Sequence, residues 1–418
     1  MFIADLHIHS KYSRATSKDM EINVLYKWAK QKGIKVLGTG DFTHPHYLTE
    51  LKKELEPLGN GLFKLRNGDD AVYFMLTTEI SNIFSVKGKG RRIHTLIFAP
   101  SFEVVDKINI WLGRRGDLMV DGRPTFGFHV KELVKIVLDI SEDCLIVPAH
   151  AWTPWYGILG SNGGFDSLEE AFEEEVKHIY AIETGLSSDA KMNWRLSVLD
   201  KITLISNSDA HSPHRIGREA NVFNCDCDYY EIIDAIKKKD KNRFLCTIEF
   251  YPEEGKYHYD GHRKCNVLFS PQETKKHNYI CPVCGQTVTI GVMHRVETLA
   301  DRPEGYRPKG AIPEIHLIPL EEIIAEAMGR QVATKGVQDE YERLVKHATE
   351  FDILLKLSIE ELSNFVPSNI LEGIIRVREG NVFIRPGFDG VYGEIKIFPK
   401  SEKKEKRTFP KQLGLFQK

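Results

Sequence analysis

Short apolar strands alternate with amphipathic helices over roughly the first 250 residues, which predicts an α/β fold, either a parallel barrel or an open parallel sheet. A second observation sharpens this. Metal-ligand residue types recur directly after those strands, where barrels gather their active sites. A third is the change of character further on, to a basic Cys-bearing insert and then to helical patterns.

The predicted strands are Phe2–His7, Lys35–Thr39, Val72–Thr78, His94–Ala99, Leu145–Pro148, Ile179–Ile182 and Thr203–Ser206. Helical periodicity lies between them at Ile22–Gln31, Val130–Asp139 and Ala190–Lys201. The first strand ends in His7 and His9. Residues at i and i+2 of a strand share a face, so both can grip one ion. Asp5 lies on that face, placed to hydrogen-bond an imidazole or join the shell. Asp41 follows the second strand and Glu79 the third, and His94 opens the fourth. His150 follows the fifth, Glu183 the sixth, and Asp209 and His211 the seventh. Ten of the sixteen His precede residue 250, and several stand at strand ends. Together they predict a multinuclear metal site.

Composition bounds the alternatives. The 418 residues are 42% hydrophobic and 28% charged, with a net charge of −2. That describes a globular chain with no global basic field, so any nucleic-acid contact must rest on local patches. No apolar run approaches the ~20 residues that span a bilayer. The start reads directly as a strand, without a signal peptide. Seven Cys without a regular framework fit a reducing, cytoplasmic setting and a metal site better than disulfides.

Asp5-Leu-His7-Ile-His9-Ser10, Thr39-Gly-Asp41, Glu79, His94, Pro148-Ala-His150 and Ser208-Asp209-Ala-His211 together resemble the polymerase and histidinol phosphatase (PHP) superfamily. The resemblance covers residues 1 to about 250. It implies a distorted (βα)7 barrel with a trinuclear site that hydrolyses phosphoesters. It also implies metal ligation by His7, His9, Glu79, His94, His150, Asp209 and His211. One motif departs from the family pattern: Gly40-Asp41-Phe42 stands where Thr-Asp-His is usual. Either Asp41 ligates alone, or His44 or His46 supplies the missing imidazole; Asp41 is favoured, with His44 second.

These ligand types suit Zn, Mn or Fe better than an all-oxygen magnesium cage. Zn2+ is the expected ion of the cluster, with Mg2+ or Mn2+ supporting catalysis. A metal-bound water would attack phosphorus, with Glu79 as the bridging carboxylate, Asp209 orienting the nucleophile and His150 completing the catalytic set. No covalent nucleophile is needed. Lys89, Arg91 and Arg92 in a Gly-rich turn, and Arg215 and Arg218 after His211, are candidate phosphate contacts or solvated surface. Trp152, Trp155 and Tyr156 follow His150 closely, where aromatics could stack a base, wedge a duplex or simply pack the loop, with Trp152 the leading candidate. Ser161-Asn-Gly-Gly-Phe continues that loop and reads as mobile.

From about residue 251 to 300, His262-x2-Cys265 and Cys281-x2-Cys284 form two knuckle-like halves of a structural zinc module. The fourth ligand is the least determined: His262 leads, with His277 and His294 behind it. Residues 301–399 read as a small helical domain (Leu320–Met328, Gln338–Phe351, Ile359–Phe365) with a terminal hairpin. Residues 400–418 are a charged, flexible tail ending in Gln412-Leu413-Gly-Leu415-Phe416. That pentapeptide closely resembles the one by which bacterial proteins bind the sliding clamp, which hints at a bacterial source.

The order of a PHP-like domain, a zinc knuckle, Thr289-Ile-Gly-Val-Met-His-Arg-Val-Glu-Thr-Leu-Ala-Asp-Arg and Pro319-Leu-Glu-Glu-Ile-Ile-Ala-Glu resembles the endonuclease Q family over nearly the whole chain. The resemblance implies a DNA repair endonuclease that nicks 5′ to deaminated bases (hypoxanthine, uracil, xanthine) and abasic sites. Damaged DNA, single- or double-stranded, and the sliding clamp are the implied partners, with no membrane. Two rivals stand beside it: a histidinol-phosphatase-like small-molecule enzyme, and a non-catalytic DNA-binding repair scaffold. A helicase is excluded, because no Gly-x4-Gly-Lys-Ser/Thr phosphate loop occurs.

Overall fold

The computed structural model describes residues 1–398, which form an α/β protein of two compact units. The first comprises Met1–Ala29, Ile34–Thr247 and Val292–Glu314; the second comprises Lys30–Gly33, Ile248–Gly291 and Ile315 onward. No helix among the described residues is long and apolar enough to cross a membrane.

In chain order, the strands of the first unit that matter for the site are β1 (Phe2–Asp5), β2 (Val36–Gly38), β3 (Leu55–Pro57), β4 (Phe63–Leu65), β5 (Tyr73–Val86), β6 (Lys89–Ala99), β7 (Thr125–Phe126), β8 (Leu145–Pro148), β9 (Ala181–Glu183), β10 (Thr203–Ile205) and β11 (Ala220–Phe223). The central sheet runs β11-β1-β2-β5-β4-β3, with β6 beside both β5 and β8 and β7 beside β5. β9 and β10 form a separate parallel pair.

The sheet is mixed, not parallel. β1–β2 and β2–β5 are parallel, whereas β1–β11, β5–β6 and β6–β8 are antiparallel. The reason is local. Only Lys87 and Gly88 separate β5 from β6, both with positive φ (50° and 77°), so the chain doubles back as a hairpin. A parallel crossover would need a dozen or more residues. One consequence is that β5 continues past Glu79 for seven further residues, to Val86.

Ala4, Leu6, Met75, Leu96, Val147, Ile205 and Phe223 meet in one buried core under these strands. Burial of such aliphatic and aromatic side chains contributes about 1.5–3 kcal/mol each. The amphipathic helix Val130–Ile140 adds Val130, Leu133, Val134 and Val137 to the buried set. The helix expected at Ala190–Lys201 stops after Asn193, whose side chain donates to Ser188 Oγ and to the carbonyl of Asp189.

Val292–Glu314 belongs with the first unit although the sequence suggests a boundary near 250. Arg295 donates to the carbonyls of Leu159 and Phe165 at 3.0 and 2.9 Å and pairs with Asp166 at 2.7 Å. Arg302 forks onto Asp200 at 2.7 and 2.6 Å. Such contacts are invisible in local sequence.

In the second unit, the strands Asp260–His262 and Val267–Phe269 pair antiparallel, and the loop of the terminal hairpin (Phe383–Arg385 with Glu394–Lys396) braces them. Asp389 accepts from the Arg263 amide at 2.8 Å and from Thr289 Oγ1 at 2.6 Å. Helices Leu320–Ala327, Lys335–Val345, Ile359–Ser363 and Ser368–Arg378 complete this unit. The last of these was not predicted, and the expected Gln338–Phe351 helix ends at Val345.

Candidate metal centre

Five strand ends or strands carry the site. His7 and His9 leave β1, and the intervening Ile8 bridges to Ala210. The His9 amide donates to the Ala210 carbonyl at 3.0 Å, which brings the loop carrying Asp209 alongside. Glu79 lies within β5 and His94 within β6. Because Glu79 pairs with Leu96 and Ser81 with His94, the two are diagonal neighbours on one face of the hairpin.

His150 and Asp209 follow β8 and β10 in an unusual backbone state. Asp41, His150 and Asp209 all have positive φ (47°, 31° and 47°). For a non-glycine residue that costs of order 1–3 kcal/mol and persists only when the surroundings over-determine it. Here they do. Asp41 accepts four hydrogen bonds, and the His150 amide donates to Glu183 Oε2 at 2.8 Å. Gly185, itself at φ +61°, lies so close that a Cβ would stand 2.6 Å from the Cβ of His150.

Two groups of side chains share Glu79. His7, His9, Glu79 and Asp209 place one ligand atom each within 4.8 Å of one another, and so do Glu79, His94 and His150. Glu79 Oε2 is 3.2 Å from His9 Nε2 and 3.7 Å from His7 Nε2. Asp209 Oδ1 is 3.0 and 3.5 Å from the same two nitrogens. The other carboxylate oxygen, Oε1, is 2.8 Å from His94 Nδ1 and 3.0 Å from His150 Nε2. His7 Nε2, His9 Nε2 and Asp209 Oδ1 are buried without a hydrogen bond. Buried lone pairs that converge without donors fit a cation, and nitrogen with carboxylate oxygen fits Zn, Mn or Fe.

The far sides of two imidazoles are held by carboxylates. His7 Nδ1 donates to Glu183 at 3.0 and 3.1 Å, and His9 Nδ1 donates to Asp41 Oδ1 at 3.0 Å. Each bond fixes the tautomer that leaves Nε2 as the acceptor facing the group. Burial opposes ionisation of Glu79, but His94 and Arg123 outweigh it and hold the carboxyl well below its usual range. Burial brings His94 down to about 4, leaving it neutral at physiological pH.

The structure does not bring every predicted site residue into these groups. Asp41 backs His9 and stands outside both, because its carboxylate is occupied by Ser10, Ser13 and His9. His44 stacks on Tyr12 at 4.3 Å and its Nε2 meets the Met119 carbonyl at 3.3 Å; neither it nor His46 joins a group. His211 lies against the His9 ring at 4.6 Å, but its Nδ1 donates to the Asp209 carbonyl. Asp5 touches no imidazole. It accepts from the Ser208 amide and hydroxyl and from the Gly217 amide, and burial raises it to about 6.

Among the basic and aromatic candidates, Lys89 and Arg92 are exposed, and Arg215 and Arg218 are half-buried. Arg91 is committed to the fold: it caps the Gly164 carbonyl, pairs with Glu170 and covers the Phe165 ring. Trp152 is 1% exposed and donates to Asn193 Oδ1 at 2.8 Å, so it packs the core rather than presenting a face to a base. The glycine-rich loop after it is densely bonded, with Gly157, Gly160 and Gly164 in close backbone contact. Residues 412–416 lie outside the described residues.

Sequence reasoning passed over Arg123, whose Nη1 donates to Glu79 Oε2 at 2.9 Å. Its context, Asp121-Gly-Arg-Pro, matches no motif, and only the fold brings it to Glu79. Tyr156, in the aromatic loop after His150, meets His94: its carbonyl accepts from the His94 amide and its ring packs on the His94 ring at 4.3 Å.

In the second unit, His262, Cys265, Cys281 and Cys284 gather within 4.8 Å. His277 instead stacks on Phe269, which leaves His262 in the fourth position. Burial pushes the Cys281 thiol up, but the amides of Cys284 and Val283 and the His262 ring overcome this and bring it to about 6. A thiolate at neutral pH is what a metal needs.

Fold and site together define an α/β protein with two adjoining His-and-carboxylate groups suited to cations and a separate Cys/His cluster. The chain is similar to the lesion-specific endonuclease PfuEndoQ from Pyrococcus furiosus, with 33% identity over 97% of each chain and a TM-score of 0.84. It is equally similar to endonuclease Q in complex with a 27-mer duplex carrying an abasic lesion at the active site (33% identity, 96% of this chain and 97% of that one, TM-score 0.82). The chain belongs to the endonuclease Q family. The MJ0043 C-terminal domain family matches residues 319–381. The uncharacterized protein MJ0043 of Methanocaldococcus jannaschii is 36% identical over 273 residues, which is 63% of this chain; the match spans only 34% of that protein's length. The uncharacterized protein YqxK of Bacillus subtilis is 28% identical over 409 residues, covering 94% of this chain and 98% of that one.

Proposed function

We propose that this chain is a metal-dependent DNA repair endonuclease that hydrolyses the phosphodiester 5′ to deaminated bases and abasic sites, on a PHP-type scaffold. The observation that carries the proposal is Glu79, which presents one oxygen to the His7 and His9 nitrogens that Asp209 also faces, and the other to His94 and His150. A carboxylate shared in this way suits a pair of ions acting on one phosphate. Kinship with a lesion-specific endonuclease supplies the substrate class.

Ions held by the two groups would supply a water acidic enough to attack phosphorus near neutral pH. The residues of the chain do the rest. Glu79 keeps the two groups at a fixed separation. Glu183 and Asp41 hold His7 and His9 in the tautomer that presents Nε2. Asp209 aims the nucleophile, and no serine or cysteine nucleophile is required. Lys89, Arg92, Arg215 and Arg218 are the proposed contacts to the DNA backbone. The Cys/His cluster holds a structural zinc, since four closed ligands leave no open position. The terminal peptide, Gln412 to Phe416, is proposed to engage a sliding clamp.

The test is a 5′-labelled duplex with one deoxyinosine or one abasic site, beside an undamaged duplex and a phosphomonoester, each with Zn2+, Mn2+ or Mg2+. Scission 5′ to the lesion alone supports the proposal. Turnover of the monoester alone would make the chain a small-molecule phosphatase, and turnover of nothing a binding scaffold.

A further inference from the structure

Beside the shared carboxylate stands a cation on a rigid mount. Arg123 Nη1 donates to Glu79 Oε2 at 2.9 Å, yet its side chain stays 25% exposed. The chain on either side is tied down. The Gly122 amide donates to the Tyr12 carbonyl at 3.1 Å, and the Gly122 carbonyl accepts from Thr43 Oγ1 at 3.1 Å. A Cβ on Gly122 would lie 2.4 Å from Asp41 Oδ2, so no larger residue fits there. The Arg123 amide donates to Asp121 Oδ1 at 3.1 Å, and the Pro124 carbonyl accepts from the Ser81 amide of β5 at 3.0 Å. Arg123 is therefore held on both sides by the elements that carry the metal-binding groups.

A guanidinium is a planar fork of five donors. Apart from the bond to Glu79, those donors meet no acceptor among the described residues. A fixed positive charge beside cation-binding groups also works against filling them. An arriving anion with several oxygens reverses that penalty, and a phosphodiester is such an anion.

We propose that Arg123 is the residue that grips the scissile phosphate: one donor stays on Glu79 while the exposed edge takes a non-bridging oxygen. The assignment rests on the nuclease reading above and names the group that holds its substrate. Arg123 makes and breaks no covalent bond. It carries charge that builds on the phosphate oxygens as water attacks. Losing one donor aimed at charge that builds in the transition state typically costs on the order of 10²–10³ in turnover.

The experiment compares wild type, Arg123→Lys and Arg123→Gln as metal-loaded full-length chains. Metal per chain is measured first, then affinity for inorganic phosphate by calorimetry, then kcat and KM on a duplex with one abasic site. Arg123→Gln is expected to keep wild-type metal content, to bind phosphate at least roughly tenfold more weakly, and to lose on the order of 10²-fold in kcat. Arg123→Lys keeps the charge but not the fork, so it should recover part of the phosphate affinity. Unchanged phosphate affinity in Arg123→Gln would overturn the assignment. So would a metal loss that matches the activity loss, since Arg123 would then only be propping up Glu79. The calorimetric arm needs no turnover. A wild type that binds phosphate through Arg123 yet cuts no DNA would sink the nuclease reading, and Arg123 would then be a phosphate contact with no scissile bond beside it.

Discussion

Replacing Asp41 by asparagine separates two roles that the residue could have. If Asp41 orients His9, the amide group matters more than the missing charge. Three donors converge on Oδ2: the Ser10 amide at 2.6 Å, Ser10 Oγ at 2.7 Å and Ser13 Oγ at 2.9 Å. The Ser10 amide cannot reverse, so the asparagine must place its oxygen there and its NH2 toward His9 Nδ1, 3.0 Å away on the other side. His9 then becomes an acceptor at Nδ1 and carries its proton on Nε2, the atom that faces Glu79 and Asp209. Loss of a carboxylate behind a ligating imidazole costs about 10–100-fold in metal affinity or activity, or about 1.4–2.8 kcal/mol. The wrong tautomer places Asp41→Asn at or beyond the upper end, and below Asp41→Ala, which leaves the imidazole free to turn over its tautomer. The assay is chelator competition on wild type, both Asp41 variants, His9→Ala and the double variant Asp41→Asn/His9→Ala. The Asp41→Asn effect should vanish once His9 is gone. Additive losses would show that Asp41 binds metal by itself, and the orienting role would be refuted.

Cys281→Ser should release one equivalent of zinc and destabilise the second unit, read by metal analysis and thermal unfolding; an unchanged metal count would remove the Cys/His cluster as a zinc site. Trp152→Phe leaves Asn193 Oδ1 without its indole donor and should cost about 1–3 kcal/mol of stability with DNA affinity unchanged. Weakened DNA binding at full stability would instead return Trp152 to the interface. Gly185→Ala forces a side chain into a left-handed position against His150, so it should lower both thermal stability and occupancy of the Glu79–His94–His150 group. Gly59→Ala, also at positive φ but with open space around it, gives the backbone cost alone and should keep full metal content.

Residue type and spacing were enough to point to much of the candidate site. His7 and His9 share a strand face, and Glu79, His94, His150 and Asp209 stand on or just after apolar strands, so their convergence could be expected. The four members of the Cys/His cluster were legible for a similar reason, because paired short spacings leave the ligand atoms few places to go. What could not be read was which atom faces which partner. Asp41 and Glu183 have the chemistry of ligands, yet backbone turns and buried hydrogen bonds put them behind His9 and His7. Trp152 looks like a stacking platform in a loop and is sealed inside the core. Arg123 carries no motif at all, and its meeting with Glu79 depends on a chain segment 44 residues away folding against β5. Sequence determined the donors, because donor chemistry belongs to the side chain. Tertiary structure alone decided their roles, because left-handed turns and strand register set the direction in which each donor points.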